Sequence, residues 1–268
     1  LTLPSDAAPV IDGCLDLLKA ALRLYPVGAC ALTTRSDVPA GSGLGSSGAL
    51  DVALVAALSC ARGLALSPRA IADEACRLER DEARIAGGRQ DQLVSALGGF
   101  QYMVFRDPDA TTDTIALDTA FADELQRSTA LCYTGTSRVS GRTIARVASA
   151  YDGGDRAVTA ALHGLRDVAY EMREALAASD LARVAVLLSR NWIHQQALDP
   201  GMRTDGMARL EHAAGAAGAL GGKAAGAGAG GCMFFVGPSR AAQIAEAATA
   251  SGATVLDFTW SSEGVRMC

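Results

Sequence analysis

Lysine is almost missing from this 268-residue chain, occurring only at positions 19 and 223. A phosphate-binding P-loop needs Gly-x-x-x-x-Gly-Lys-Ser/Thr, so the glycine-rich stretch around residue 43 is not one. Cys-x-x-Cys pairs are missing too. The seven cysteines, at 14, 30, 60, 76, 132, 232 and 268, are scattered, with no histidine at zinc-site spacing. They read as reduced, core-packing residues of a cytoplasmic protein. There is no apolar run of the roughly 18 residues that cross a membrane, and no basic leader. A net charge of −5 and a pI near 5.2 exclude the broad basic field of nonspecific nucleic-acid binding, so an anionic ligand has to be met locally. Internal repeats are absent. The chain opens at Leu1 inside a polar turn, and an upstream segment is expected.

Half of the residues are apolar, enough for a substantial core. Apolar spacing predicts a helix over Ile11–Leu24, a strand over Val27–Thr34, and a long buried helix over Ser46–Arg62. Ser67-Pro68, a cap followed by proline at the first helical position, starts a helix to about Arg84. Gly87-Gly88 and Gly98-Gly99 bracket a short helix, Gln90–Leu97, before a strand at Phe100–Phe105. The polar stretch Arg106–Asp118 is read as a connection, with the domain boundary between residues 106 and 128. Beyond it come a strand near Thr129–Thr134 and helices over Gly141–Tyr151, Ala157–Ala177, Leu181–Gln195 and Thr204–Gly215. Then follow a strand at Cys232–Val236, a helix at Ser239–Ser251, a strand at Thr254–Thr259 and an edge strand at Val265–Cys268. Strands interleaved with helices mean α/β or α+β, divided as residues 1–120 and 121–268.

Pro39-Ala-Gly-Ser-Gly-Leu-Gly-Ser-Ser-Gly-Ala stands between predicted strand and helix. Its glycines permit close backbone approach, and the first N–H groups of the helix converge with the helix dipole, which makes an anion site. Ser46 and Ser47 add hydroxyls suited to phosphate or phosphate-bound magnesium. Two other readings compete. Gly43-x-Gly45-x-x-Gly48 matches a dinucleotide fingerprint literally, but another helix follows rather than a second strand, and no acidic strand end lies about 20 residues on. The loop could also be a plain strand-to-helix turn. A second stretch, Gly221 to Gly231, runs straight into the apolar strand Cys232–Val236, which is unlike a linker. It is expected to pack against a ligand or against the first domain.

These segments together resemble the GHMP kinase superfamily, whose second motif reads Pro-x-x-x-Gly-Leu-Gly-Ser-Ser-(Ala/Gly)-Ala and is matched by residues 39–49. Its third motif, Lys-x-x-Gly-Ala-Gly-Gly-Gly-Gly-Phe, is matched from Lys223 to Cys232, with Ala229 for a glycine and Cys232 for the phenylalanine. Leu78-Glu79-Arg80-Asp81, Gly87-Gly88-Arg89-Gln90-Asp91-Gln92, Gly98-Gly99-Phe100 and Tyr133-Thr-Gly-Thr-Ser-Arg138 are similar to the D-glycero-D-manno-heptose 7-phosphate kinase branch. The family's first motif, an N-terminal strand with a sugar-binding turn, is not in this sequence.

The resemblance implies a two-domain α+β fold, an S5-like N-terminal domain followed by a ferredoxin-like one, without the first N-terminal strand or strands. It implies an ATP- and Mg2+-dependent kinase of a sugar or sugar phosphate, with the anomeric hydroxyl of a heptose 7-phosphate as acceptor. A free sugar such as fucose or galactose, a cyclitol, or a non-catalytic nucleotide- or sugar-binding role are the alternatives. The implied partner is a small molecule, with neither nucleic acid nor membrane and a homodimer left open. Asp91 is implied as catalytic, a role compatible with helix capping, and Arg89 could hold it ionised or meet the transferring phosphoryl group. Pro39, Gly41, Gly43, Leu44, Gly45, Ser46, Ser47 and Gly228 are implied for the ATP phosphates. Ser47 and Glu79 are implied for magnesium, and Arg138, Arg142 and Gly226 for the substrate, arginine being suited to a phosphate already on the sugar.

Overall fold

A computed structural model describes residues 9–106, 109–137 and 141–267, the side chains of 141 and 142 excepted. The chain divides into two compact units, each discontinuous in sequence: 1–37, 45–111 and 261–268 form the first, 38–44 and 112–260 the second. A single cut at 120/121 therefore describes it incompletely. Residues 38–44 count with the second unit, and the C-terminal residues return to the first.

In the first unit, helices α1 (Asp16–Leu24), α2 (Ser46–Ala61), α3 (Pro68–Arg77) and α4 (Gln90–Leu97) precede strand β1 (Phe100–Arg106). The core gathers Val52, Leu54, Val55 and Leu58 of α2 with Ile71, Ala72 and Ala75 of α3, Leu78, and Leu93 and Ala96 of α4. Each large side chain so buried stabilises the fold by about 1.5–3 kcal/mol. Ser67 caps α3 by accepting from the Ala70 amide, with proline at the first turn, as its sequence dictates. The helix expected to continue to Arg84 changes at Leu78: residues Leu78–Glu82 form a π-helical turn, in which the Ala83 amide donates to the Leu78 carbonyl at 2.9 Å. Such turns inside helices are frequent at functional sites.

Three other expectations are corrected. Residues 27–34 bend at Gly28–Ala29 and pair with no strand among the described residues; alternation marks a chain able to pair, while a strand exists only with a partner. The first helix begins at Asp16 rather than Ile11, because Gly13 and Leu15 adopt positive φ and Asp16 accepts from the Gly13 amide at 2.9 Å. The tail is not an edge strand: the Val265 amide donates to the Ala96 carbonyl at 3.2 Å and the Gly99 amide to the Ser261 carbonyl at 2.9 Å, strapping the end of α4.

Strand β2 (Asp109–Ile115) pairs with β1 and carries the chain out of the first unit. It occupies the polar stretch read as a connection, where the alternation of Asp and Thr gives a strand with little to bury. Next comes α5 (Thr119–Ser128), capped by Asp118, which accepts from the Ala120 and Phe121 amides. The second unit holds a four-stranded antiparallel sheet in the order β4-β5-β3-β6, with β3 Thr129–Tyr133, β4 Gly221–Ala224, β5 Cys232–Val236 and β6 Thr254–Leu256. β4 was hidden inside the second glycine-rich stretch. Alternation assigns the faces: Cys132, Met233 and Phe235 join Trp192, Met207, Leu210 and Ile244 in the main core, while Leu131, Cys232 and Phe234 point the other way, toward Leu44 and Phe258. The helices of this unit are α6 (Gly141–Asp152), α7 (Arg156–Ala177), α8 (Leu181–Gln196), α9 (Asp205–Ala216) and α10 (Ala241–Ala250). Asp155, Asp180 and Thr204 cap α7, α8 and α9.

Cys76, Cys132 and Cys232 are buried, but Cys14, Cys30 and Cys60 are exposed, so packing does not account for all the cysteines. Cys268 lies outside the described residues. Among the described residues no helix is long and apolar enough to cross a membrane.

Candidate active site

α2 starts from Gly45, at φ 72, with no side chain capping its first amides. Helix-start N–H groups without an internal partner need an outside acceptor, and the hydroxyls of Ser46 and Ser47 stand beside them. One turn on, Gly48 lets α4 come close. A Cβ on Gly48 would lie 2.7 Å from Asp91 Cβ and 3.0 Å from the Asp91 carbonyl carbon; one on Gly45 would lie 3.5 Å from Asp91 Oδ1. The glycines therefore bring the Asp91 carboxylate to the N-terminus of α2. Asp91 is half-buried, and burial raises its pKa above the ordinary aspartate value.

Glu79, in the π-helical turn, is 6 % exposed. It accepts from Gln92 Nε2 at 2.7 Å and is hydrogen-bonded by Ser47. Burial raises its pKa first, the hydrogen bonds from Gln92 and Ser47 oppose that rise, and the charge of Asp91 adds to it. Asp91, Glu79 and Ser47, separated in sequence by up to 44 positions, thus meet within one unit. The oxygen set of a carboxylate and a hydroxyl fits a hard divalent cation that takes its remaining ligands from phosphate and water. Among the described residues no cluster of three or more His, Cys, Asp or Glu side chains forms a cage for a metal ion.

A third carboxylate, not singled out by the sequence, lies behind these two. Asp51 is fully buried, and burial, then the charge of Glu79, push it up to about 8. Gln92 Nε2 reaches its Oδ2 at 3.4 Å, while Asp51 Oδ1 and Gln92 Oε1 are buried without a donor. Its only sequence signal was a lone charged residue, at the sixth position of the Ala- and Leu-rich helix α2.

Arg89 precedes α4, and its guanidinium pairs with Asp73 of α3 at 3.4 Å and hydrogen-bonds Cys76. Of its two expected roles, holding Asp91 ionised or meeting the transferring phosphoryl group, the first has no resolved trace on Asp91, where the resolved influence is burial.

In the second unit the two glycine-rich stretches lock together through their backbones. Gly43 has φ 80, and a Cβ there would meet the Ala225 carbonyl oxygen at 2.6 Å, so only glycine fits. The Cys232 amide donates to the Ser42 carbonyl at 2.6 Å, and the Leu44 side chain packs against Ala225 and Cys232. Pro39 accepts from the Ser42 amide and Gly41 turns at φ 71. The second stretch is held from several sides: Gln195 Nε2 donates to the Gly226 carbonyl at 2.7 Å, the Ala229 amide to the Met202 carbonyl at 2.6 Å, and the Gly231 amide to the Thr136 carbonyl at 2.8 Å. Gly228, at φ 74, packs against Met202 and Trp192, whose indole donates to Glu211. Arg138 lies outside the described residues. Arg142 falls on α6, its side chain outside them as well.

Ala229, standing where the family pattern has glycine, adopts φ 61. A side chain in that region costs about 1–2 kcal/mol, part of which glycine returns as chain entropy. Ala229→Gly is therefore expected to raise stability by up to about 1 kcal/mol, read as a higher melting temperature; a lower one would show that Ala229 carries no strain.

The model described as GHMP kinases N terminal domain matches residues 10–99, and that described as GHMP kinases C terminal matches residues 172–254. The chain is 33% identical over 237 residues to a D-glycero-alpha-D-manno-heptose 7-phosphate kinase of Campylobacter jejuni, covering 88% of this chain and 69% of that protein. It is 30% identical to a mevalonate kinase of Pyrococcus furiosus, covering 87% of this chain and 67% of the other. A crystal structure of a D-glycero-D-manno-heptose 1-phosphate kinase from Bacteriodes thetaiotaomicron superposes with a TM-score of 0.74 at 25% identity, over 95% of this chain and 74% of that one.

Proposed function

The chain belongs to the GHMP kinase family, and from that premise we propose that it transfers the γ-phosphoryl group of ATP to the anomeric hydroxyl of a heptose 7-phosphate. The observation that carries the chemistry is the Asp91 carboxylate held by Gly48 at the uncapped N-terminus of α2. The acceptor is supported by the relative named a heptose 7-phosphate kinase, at 33% identity over 88% of the chain.

In this reading the uncapped first amides of α2 and the hydroxyls of Ser46 and Ser47 take the ATP phosphates, Pro39, Gly41, Gly43, Leu44, Gly45 and Gly228 being proposed for the nucleotide as well, and phosphoryl transfer needs little beyond positioning and charge neutralisation. Asp91 accepts the proton of the attacking hydroxyl as its oxygen bonds to the γ-phosphorus and the bond to ADP breaks. Burial makes Asp91 a better base than a solvated aspartate. Glu79 and Ser47 would hold magnesium, whose contribution when bound is to neutralise phosphate charge. Arg89, paired with Asp73, ties the start of α4 to α3. Arg138, Arg142 and Gly226 are proposed for the sugar phosphate.

A mevalonate-type acceptor is the second reading, favoured by the archaeal mevalonate kinases at similar identity. ADP release measured over heptose 7-phosphate, heptose 1-phosphate, fucose, galactose and mevalonate separates them. The expected result is the highest kcat/KM with heptose 7-phosphate. A preference for mevalonate or a free sugar would overturn the acceptor assignment, and ATP binding without turnover on any of them would indicate a non-catalytic member.

A further inference from the structure

Gln92 follows Asp91 on α4 and is 1 % exposed. Its Nε2 donates to Glu79 Oε2 at 2.7 Å and also faces Asp51 Oδ2 at 3.4 Å. One amide thus bridges carboxylates from α2 and from the π-helical turn, on the same helical turn that bears Asp91. An uncharged donor suits this place. It fixes the direction of the Glu79 carboxylate without cancelling its charge, which a lysine or arginine would do at the expense of cation binding. A Cβ on Gly48 would lie 3.1 Å from the Gln92 amide nitrogen, so the backbone of Gln92, like that of Asp91, is seated directly against α2.

We propose that Gln92 is a positioning residue for the divalent cation: its amide, anchored on Asp51, holds Glu79 in the orientation that receives the ion and couples that orientation to the placement of Asp91. Resting on the assignment of Glu79 to magnesium, the proposal names what sets that ligand. Outer residues that orient a metal ligand are worth about 10- to 100-fold in metal affinity.

The test is Gln92→Met, close in length and volume but without the donor. Mn2+ binding is followed by electron paramagnetic resonance in the nucleotide complex of the full chain, with nucleotide affinity measured separately in the absence of divalent ions. The expected result is Mn2+ affinity lower by about 10- to 100-fold, unchanged metal-free nucleotide affinity, and kcat recovered to within about threefold at saturating Mg2+, the pattern of a lost binding contribution. Unchanged Mn2+ affinity would overturn the proposal. So would an equal loss of nucleotide affinity with and without the ion, which would mean that Gln92 only holds the fold. Should Gln92→Met fail to fold, Gln92→Asn, which keeps an amide but shortens its reach, is read by the same criteria. Glu79→Gln separates the two levels: Mn2+ affinity kept in Glu79→Gln refutes the assignment of Glu79 itself, whereas affinity lost there but kept in the Gln92 variants refutes only the role of Gln92.

Discussion

Asp91→Asn is expected to lower kcat by about 10²- to 10⁴-fold, the range lost with a positioned general base, while ATP affinity changes little. Asparagine keeps the shape that packs against Gly48, where the nearest carbon is Asp91 Cβ, so the start of α4 is retained. What is lost is the acceptor for the hydroxyl proton and the negative charge that orients it. Burial raises the pKa of Asp91, and the acidic limb of the wild-type kcat/KM profile should accordingly lie above the ordinary aspartate value of 3.8 and vanish in the variant. A variant that retains kcat would remove Asp91 from the chemistry. A variant with normal kcat but weakened ATP binding would instead make it part of the nucleotide site.

Asp51→Asn carries the largest expected effect on stability. Asp51 titrates near 3.8 when unfolded and at about 8 when folded, so the native state holds the proton more tightly than the unfolded chain. Between those two values the unfolded state binds fewer protons, and stability falls as pH rises; below and above the window this group adds no slope. Burial is the first cause and the neighbouring charge of Glu79 the second. Asparagine removes the titration and supplies an amide donor where Gln92 Oε1 is without one. Denaturation without nucleotide or divalent ions should show a flatter pH dependence from about pH 5 to 8, with stability at pH 8 higher by a few kcal/mol, roughly 5 °C or more in melting temperature. Some slope should remain, because burial raises Glu79 in the same direction. An unchanged slope, or a variant less stable at pH 8, would show that Asp51 is ionised and usefully so.

Both predictions turn on groups whose properties arise from distant neighbours. The sequence placed Asp91 at the start of a short helix, and α4 begins at Gln90. It put the buried helix after the glycine loop, and α2 runs from Ser46 to Ala61. It could not place Arg89 against Asp73, because that ion pair joins residues 16 positions apart across two helices. Of Asp51 it showed only a lone charge in a buried helix, and of the bridge to it from Gln92, which spans 41 positions, nothing.

What the sequence determined by itself was therefore local: the glycine-rich loop and its hydroxyls, the cap at Ser67, the strands near Thr129–Thr134 and at Cys232–Val236, and the motifs that identify the family. Such features depend on neighbours a few residues away, through backbone conformation and hydrogen bonding. Only the tertiary structure decided that Val27–Thr34 has no strand partner among the described residues, that the helix after Ser67 widens into a π-helical turn at Glu79, and that Gly221–Ala224 is a strand. It also decided that three carboxylates share one buried region, with one of them displaced to about 8. Burial and carboxylate proximity are set by how helices pack, and a helix records which face it buries but not which charge waits on the other side.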